Sequence, residues 1–167
     1  MRLKQGCSGI WIAALAAALD RITKVAVRHI LLGTSAALTD SGRLFRVPGV
    51  FSIRYVPNTG VAFSLLDGGG AAVTILTALL AAAVAAWLIA RPDGQPRRAR
   101  AGLWMIVGGG LGNLYDRVAY GHVIDFIDLE FVRFAVFNVA DIFIVCGAIL
   151  ALAAMLMDER RKEKAHG

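Results

Sequence analysis

Twenty consecutive residues, Ala71 to Ala90, carry no charge. Wound as an α-helix they span about 30 Å, the thickness of a bilayer's hydrocarbon core. A soluble fold would have to bury such a helix on every side. The rest of the chain offers little to cover it with. Hydrophobic residues make up 57% of the 167, charged residues only 18%, and the mean hydropathy is +0.64. Lipid is the natural solvent for a chain of this composition, and residues 1–167 are expected to form one integral membrane domain.

Three further apolar runs cover residues 10–32, 101–115 and 134–157, so four transmembrane helices are predicted. The start of the first, Ile10 to Leu19, has the length of a signal-peptide core. It continues as a helical pattern through Asp20, Arg21, Lys24 and Arg28, which favours an uncleaved span. Residues 33–70 differ in kind. They hold Pro48, Pro57, several glycines and a β-like stretch from Gly49 to Tyr55, and they predict a small β-rich cradle outside the membrane. Residues 119–133 predict a second extramembrane segment, with Asp125, Asp128 and Glu130 among apolar neighbours; the last two are expected to be solvated. The charged tail, Asp158 to Gly167, is expected to be mobile.

The formal net charge of +6 is written in clusters. Arg2 and Lys4 open the chain, Arg91, Arg97, Arg98 and Arg100 lie between the second and third runs, and Arg160, Arg161, Lys162 and Lys164 close it. Four crossings put all three clusters on one side. The positive-inside rule makes that side cytoplasmic and turns residues 33–70 and 119–133 outward. No basic face interleaved with aromatics suits a nucleic acid. Cys7 and Cys146 suggest neither a disulfide nor a zinc site, and His29, His122 and His166 are scattered, so no metal is expected.

Ionisable groups within a span are costly and mark function unless they are paired. Asp141 falls seven residues after Phe134, which predicts a depth of roughly 10 Å in the last helix, with Asn138 one turn earlier on the same face. Asp125 precedes that helix and belongs at the same interface. Two carboxylates brought together there cannot both ionise easily, and such a pair suits general acid–base chemistry. Structural pairing is the competing account for each. Asp20 and Lys24, one turn apart, are expected to form an ion pair. Arg21 and Arg28 are expected to reach toward headgroups. Asn113 and Arg117 share a helical face, and Arg117 could hold a carboxylate or a peptide backbone. Intramembrane carboxylates would also fit a small transporter, and the glycine-rich run Gly108–Gly110 would fit an assembly scaffold.

Four separated motifs narrow the choice. They are Asp20-Arg21-Ile22-Thr23-Lys24, Asn58-Thr59-Gly60-Val61-Ala62-Phe63, Gly112-Asn113-Leu114-Tyr115-Asp116-Arg117 running on through Gly121, Val123, Asp125 and Phe126, and Phe137-Asn138-Val139-Ala140-Asp141. In order and position they resemble the bacterial lipoprotein signal peptidases (signal peptidase II), over nearly the whole chain. Departures are small: Ala135 stands where that family often has proline, and Ile142 where a small residue is common.

The resemblance implies an intramembrane aspartic endopeptidase of the bacterial inner membrane. Its substrates would be diacylglyceryl-modified prolipoproteins, cut on the amino side of the lipidated cysteine. Asp125 and Asp141 would form the catalytic dyad. Asp20, Lys24, Asn58, Gly60, Asn113, Arg117, Asn138 and Ala140 would bind substrate or position the dyad. The resemblance further implies that no metal or other cofactor is required, that membrane lipid is a partner, and that globomycin-type cyclic peptides inhibit.

Overall fold

A computed structural model describes residues 9–33, 43–60, 69–91 and 95–166. Four helices carry most of it: α1 (Ile10–Gly33), α2 (Gly69–Ala90), α3 (Arg97–Tyr120) and α4 (Val139–His166). Three strands, β1 (Arg43–Val47), β2 (Phe51–Asn58) and β3 (Val123–Leu129), form one antiparallel sheet in the order β1-β2-β3. Cys7 and the end of the second motif, Val61 to Phe63, lie outside the described residues.

Helix α3 is the centre of the bundle and packs against α1, α2 and α4. It crosses α4 with main chains in contact at Gly102 and Gly147. One apolar cluster, Ala13, Leu88, Trp104 and Val107, joins α1, α2 and α3 at the end away from the sheet. A second, Val27, Ile124 and Phe126, seats the sheet on α1, with Tyr120 of α3 packed against it. Elsewhere the distribution is inverted relative to a soluble protein. Leu76, Leu79, Leu80, Ile149 and Leu152 are exposed, while Asp20, Lys24 and Asp116 are buried. Lipid rather than water is the solvent this surface matches. Among the described residues two helices are long and apolar enough to cross a membrane, Ala71–Ala90 within α2 and Val139–Ala165 within α4. Helices α1 and α3 carry internal charges that lower their hydropathy.

The hairpin β1–β2 turns at Pro48-Gly49. Val50 N–H donates to the Val47 carbonyl at 3.0 Å, and Gly49 has φ 75°, so this is a type II turn with proline and glycine at its two central positions. The segment at 119–133 is not a separate piece. Its strand β3 pairs with β2 in the register Ile53↔Ile127, Val56↔Asp125 and Asn58↔Val123, with an irregularity between Ile53 and Val56. The cradle therefore takes strands from both segments.

Other boundaries also move. Helix α3 runs from Arg97 to Tyr120, well beyond residues 101–115, and ends at Gly121, whose N–H bonds the Arg117 carbonyl. Helix α4 begins at Val139 and not at Phe134, because Phe137 is already committed to the sheet. Its carbonyl accepts from Phe126 and Ile127, and its N–H donates to the Ile127 carbonyl. The charged tail continues α4 as helix to His166, with Lys162 paired to Asp158 one turn earlier.

Candidate active site

The bridge from Phe137 to β3 delivers Asn138 beside Asp125, and there the site is built. Asn138 is the N-cap of α4 and Asp141 its third residue. The Asp141 N–H donates to Asn138 Oδ1 at 3.0 Å, and the Asn138 N–H donates to Asp141 Oδ2 at 3.1 Å. This is a reciprocal capping box, which satisfies two of the N–H groups a helix start leaves open. A third, on Ala140, donates to Asp20 Oδ1 at 2.9 Å. Asp141 thus lies in the first turn of α4, shallower than the expected depth of about 10 Å.

Asn138 also holds the other carboxylate. Its Nδ2 donates to Asp125 Oδ1 at 2.7 Å and to Asn113 Oδ1 at 3.1 Å. Asn58 Nδ2 donates to Asp125 Oδ2 at 2.8 Å, while Asn58 Oδ1 accepts from the Gly60 N–H at 2.9 Å. Asn113 Nδ2 donates to Asp141 Oδ1 at 2.8 Å. Each carboxylate therefore has a donor on both oxygens. The amide orientations are fixed from below. Lys24 has only donors, and its Nζ lies 2.9 Å from Asn113 Oδ1, so the Asn113 NH₂ must face Asp141.

Asp125 is 2% exposed. Loss of water around its carboxylate is the main cause that pushes its pKa up to about 6, and the charge of Asp141 adds to this. The donors on Asn58 and Asn138 and the charge of Lys24 oppose the shift. Asp141 is half-buried. Arg117 has no hydrogen bond or ion pair among the described residues, yet it feels the charges of Asp141, Asp125 and Asp116.

Beneath the carboxylates lies a buried ion cluster. The Lys24 ammonium sits 2.8 Å from Asp20 Oδ2 and 2.9 Å from Asp116 Oδ2, all three side chains being fully buried. With Asn113 this engages its three donors. Asp116 also accepts from Arg21 and from the Ile124 N–H at 3.1 Å, which ties α3 to β3 one residue before Asp125. Gly112 makes the approach possible. A Cβ there would stand 2.5 Å from Asp20 Oδ2.

Asp20, Lys24, Asn58, Gly60, Asn113, Asn138, Ala140, Asp125 and Asp141 are all in this network, and Arg117 borders it. Asp116 is the member not singled out from the sequence. The signal was available: α1 carries three cations, Arg21, Lys24 and Arg28, against one acid, Asp20, and a buried surplus cation requires another carboxylate. Arg21 does not reach for headgroups. It pairs with Asp116 and stands 4.6 Å from the Tyr115 ring centre, and Arg28 stands 4.7 Å from that of Tyr120. Asp128 and Glu130 are paired across the sheet with Arg54 at 2.8 Å and Arg46 at 2.7 Å, contrary to the expectation of solvated groups.

A family model described as "Signal peptidase (SPase) II" matches residues 12–157. The chain belongs to the signal peptidase II family. It is 39% identical over 142 residues to a lipoprotein signal peptidase of Thermosynechococcus vestitus, covering 85% of this chain and 87% of the relative. It is 38% identical over 153 residues to one from Gloeobacter violaceus, covering 90% and 83%. A solved structure titled as a bacterial membrane enzyme, 28% identical, superposes with a TM-score of 0.73 over 90% of this chain and 94% of its own. The four motifs that suggested signal peptidase II are the segments that build this network.

Proposed function

We propose that this chain is an aspartic endopeptidase that removes signal peptides from diacylglyceryl-modified prolipoproteins, cutting on the amino side of the lipidated cysteine. The observation that carries the proposal is that Asn138 holds both carboxylates, Asp125 through its side-chain amide and Asp141 through its main-chain N–H. Membership of the signal peptidase II family supports the substrate class.

The dyad shares one proton and titrates as a unit. The ionised carboxylate takes a proton from water as its oxygen attacks the scissile carbonyl carbon. The protonated carboxyl gives its proton to the carbonyl oxygen. The carboxyl that took the water proton then gives it to the cysteine nitrogen as the carbon–nitrogen bond breaks, while the other carboxylate takes back a hydroxyl proton, so that the signal peptide ends in a new carboxyl group and the dyad is restored. Asn113, Asn138 and Asn58 hold the two acids in fixed geometry through these steps. Arg117, unpaired among the described residues, could hold a substrate carbonyl.

The substrate's signal helix and lipid chains already reside in the bilayer, so entry is lateral. The chain crosses the inner membrane four times, with both termini cytoplasmic and the dyad at the outer interface. Support comes from charge placement: the basic starts of α3 and the basic end of α4 lie at the end of the bundle opposite the sheet. Globomycin-type peptides are expected to compete for the site.

The test is mass spectrometry of the products from one prolipoprotein supplied with and without the diacylglyceryl group. The lipidated form is expected to yield a single new N-terminus at the modified cysteine, with the unlipidated form left intact. Cleavage at another bond, or of both forms equally, contradicts the proposal.

A further inference from the structure

At the opposite end of the bundle, a cavity of about 260 Å³ lies between the first turn of α3 and the last apolar turns of α4. Ala154 and Met157 contribute its apolar wall, and Arg97, Arg98 and Arg161 its charge. None of these three arginines has a hydrogen bond or ion pair among the described residues. Asp158 also lines the cavity, but Lys162 Nζ lies 2.7 Å from its carboxylate. Pro96 precedes α3 and gives its first turn no side-chain cap. The sheet's arginines differ, since Arg46 and Arg54 are matched to Glu130 and Asp128.

A concave site with three guanidinium groups and one carboxylate, itself already engaged by Lys162, calls for an external anion. Guanidinium groups suit phosphate oxygens through forked pairs of hydrogen bonds. The position selects the source. The cavity lies where the apolar stretch of α4 gives way to Asp158 and the basic residues after it, which is where the phosphate of a bilayer lipid sits. We propose that this cavity binds the headgroup phosphate of an anionic phospholipid, clamped by Arg97 and Arg161, with the acyl chains lying along α4. Basic pockets between spanning helices are general sites for such headgroups.

The experiment is native mass spectrometry of the full chain, released from micelles containing phosphatidylglycerol and phosphatidylcholine with matched acyl chains. The wild type is expected to retain phosphatidylglycerol preferentially. Arg97→Gln and Arg161→Gln should each reduce that preference about fivefold, the factor for about 1 kcal/mol per arginine near a headgroup. Both side chains are exposed and unpaired, so folding is expected to survive, and a thermal melt checks it. Arg160→Gln removes the same charge outside the cavity lining and should leave the preference unchanged. Equal retention of the two lipids overturns the proposal. So does an equal loss from Arg160→Gln, which would mean general surface charge. Displacement of the lipid by millimolar inorganic phosphate would assign the site to a soluble phosphate and overturn the lipid source. Peptidase activity is not the readout, so the outcome is independent of the proposed function.

Discussion

Helices α2 and α3 are nearly equal in length, 22 and 24 residues, and opposite in use. Helix α2 has no charge, and Leu76, Leu79 and Leu80 on it are more than half exposed. Helix α3 carries Asn113, Asp116 and Arg117 and buries ten residues, five of them glycines, four of these between Gly108 and Gly112. In a lipid solvent the apolar helix is the periphery and the polar, small-residue helix is the centre. Asn113 and Asp116 are tolerated on α3 because α1, β3 and α4 supply partners for them, and the same partners help fix the two carboxylates of the site.

Substitutions graded across these two regions would sharpen or break the contrast. Lys24→Met should have the largest effect on stability. It leaves Asp20 buried without a cation and Asp116 with Arg21 alone, a loss of about 3–5 kcal/mol. A thermal melt in lipid nanodiscs would show it, and an unchanged melting temperature would mean the cluster is not a structural keystone. Gly112→Ala comes next. Its methyl group meets Asp20, so about 1–3 kcal/mol of destabilisation is expected, with a drop in cleavage rate.

Asn58→Ala tests the electrostatics without touching the bundle. The pKa of Asp125 is pushed up to about 6, so the proton on the dyad is held below that pH and lost above it. kcat/KM, which reports the free enzyme, should therefore fall as pH rises through about 6. The Asn58 hydrogen bond lowers that pKa, so its removal should move the falling limb upward by about one pH unit. A limb that stays in place would separate Asp125 from the pH dependence. At the other extreme, Leu79→Ala on α2 should alter the melting temperature by less than the equivalent of about 0.5 kcal/mol, because that side chain is 63% exposed.

The same contrast explains what could be read from the sequence. Helix α2 was fully legible, since uniform apolar composition needs no partner to interpret. The carboxylates and their asparagines were legible as motifs. The capping box at Asn138 and Asp141 was not, because the helix start depends on Phe137 pairing with β3, a contact between distant segments. Sheet pairing hid the rest in the same way. Arg46–Glu130 and Arg54–Asp128 follow from strand register, which no local pattern fixes. The union of the two outer segments into one sheet was invisible for that reason too. Asp116 was hidden by its neighbours, although the unbalanced cations of α1 required it.

The most direct test compares wild-type protein with Asp141→Asn and Asp125→Asn in lipid, each confirmed as folded, acting on a diacylglyceryl-modified prolipoprotein. Cleavage by the wild type and none by either folded variant is the predicted result, since the proposed mechanism uses one proton and one ionised carboxylate. Cleavage by a variant at the wild-type rate would remove that aspartate from the chemistry and contradict the dyad.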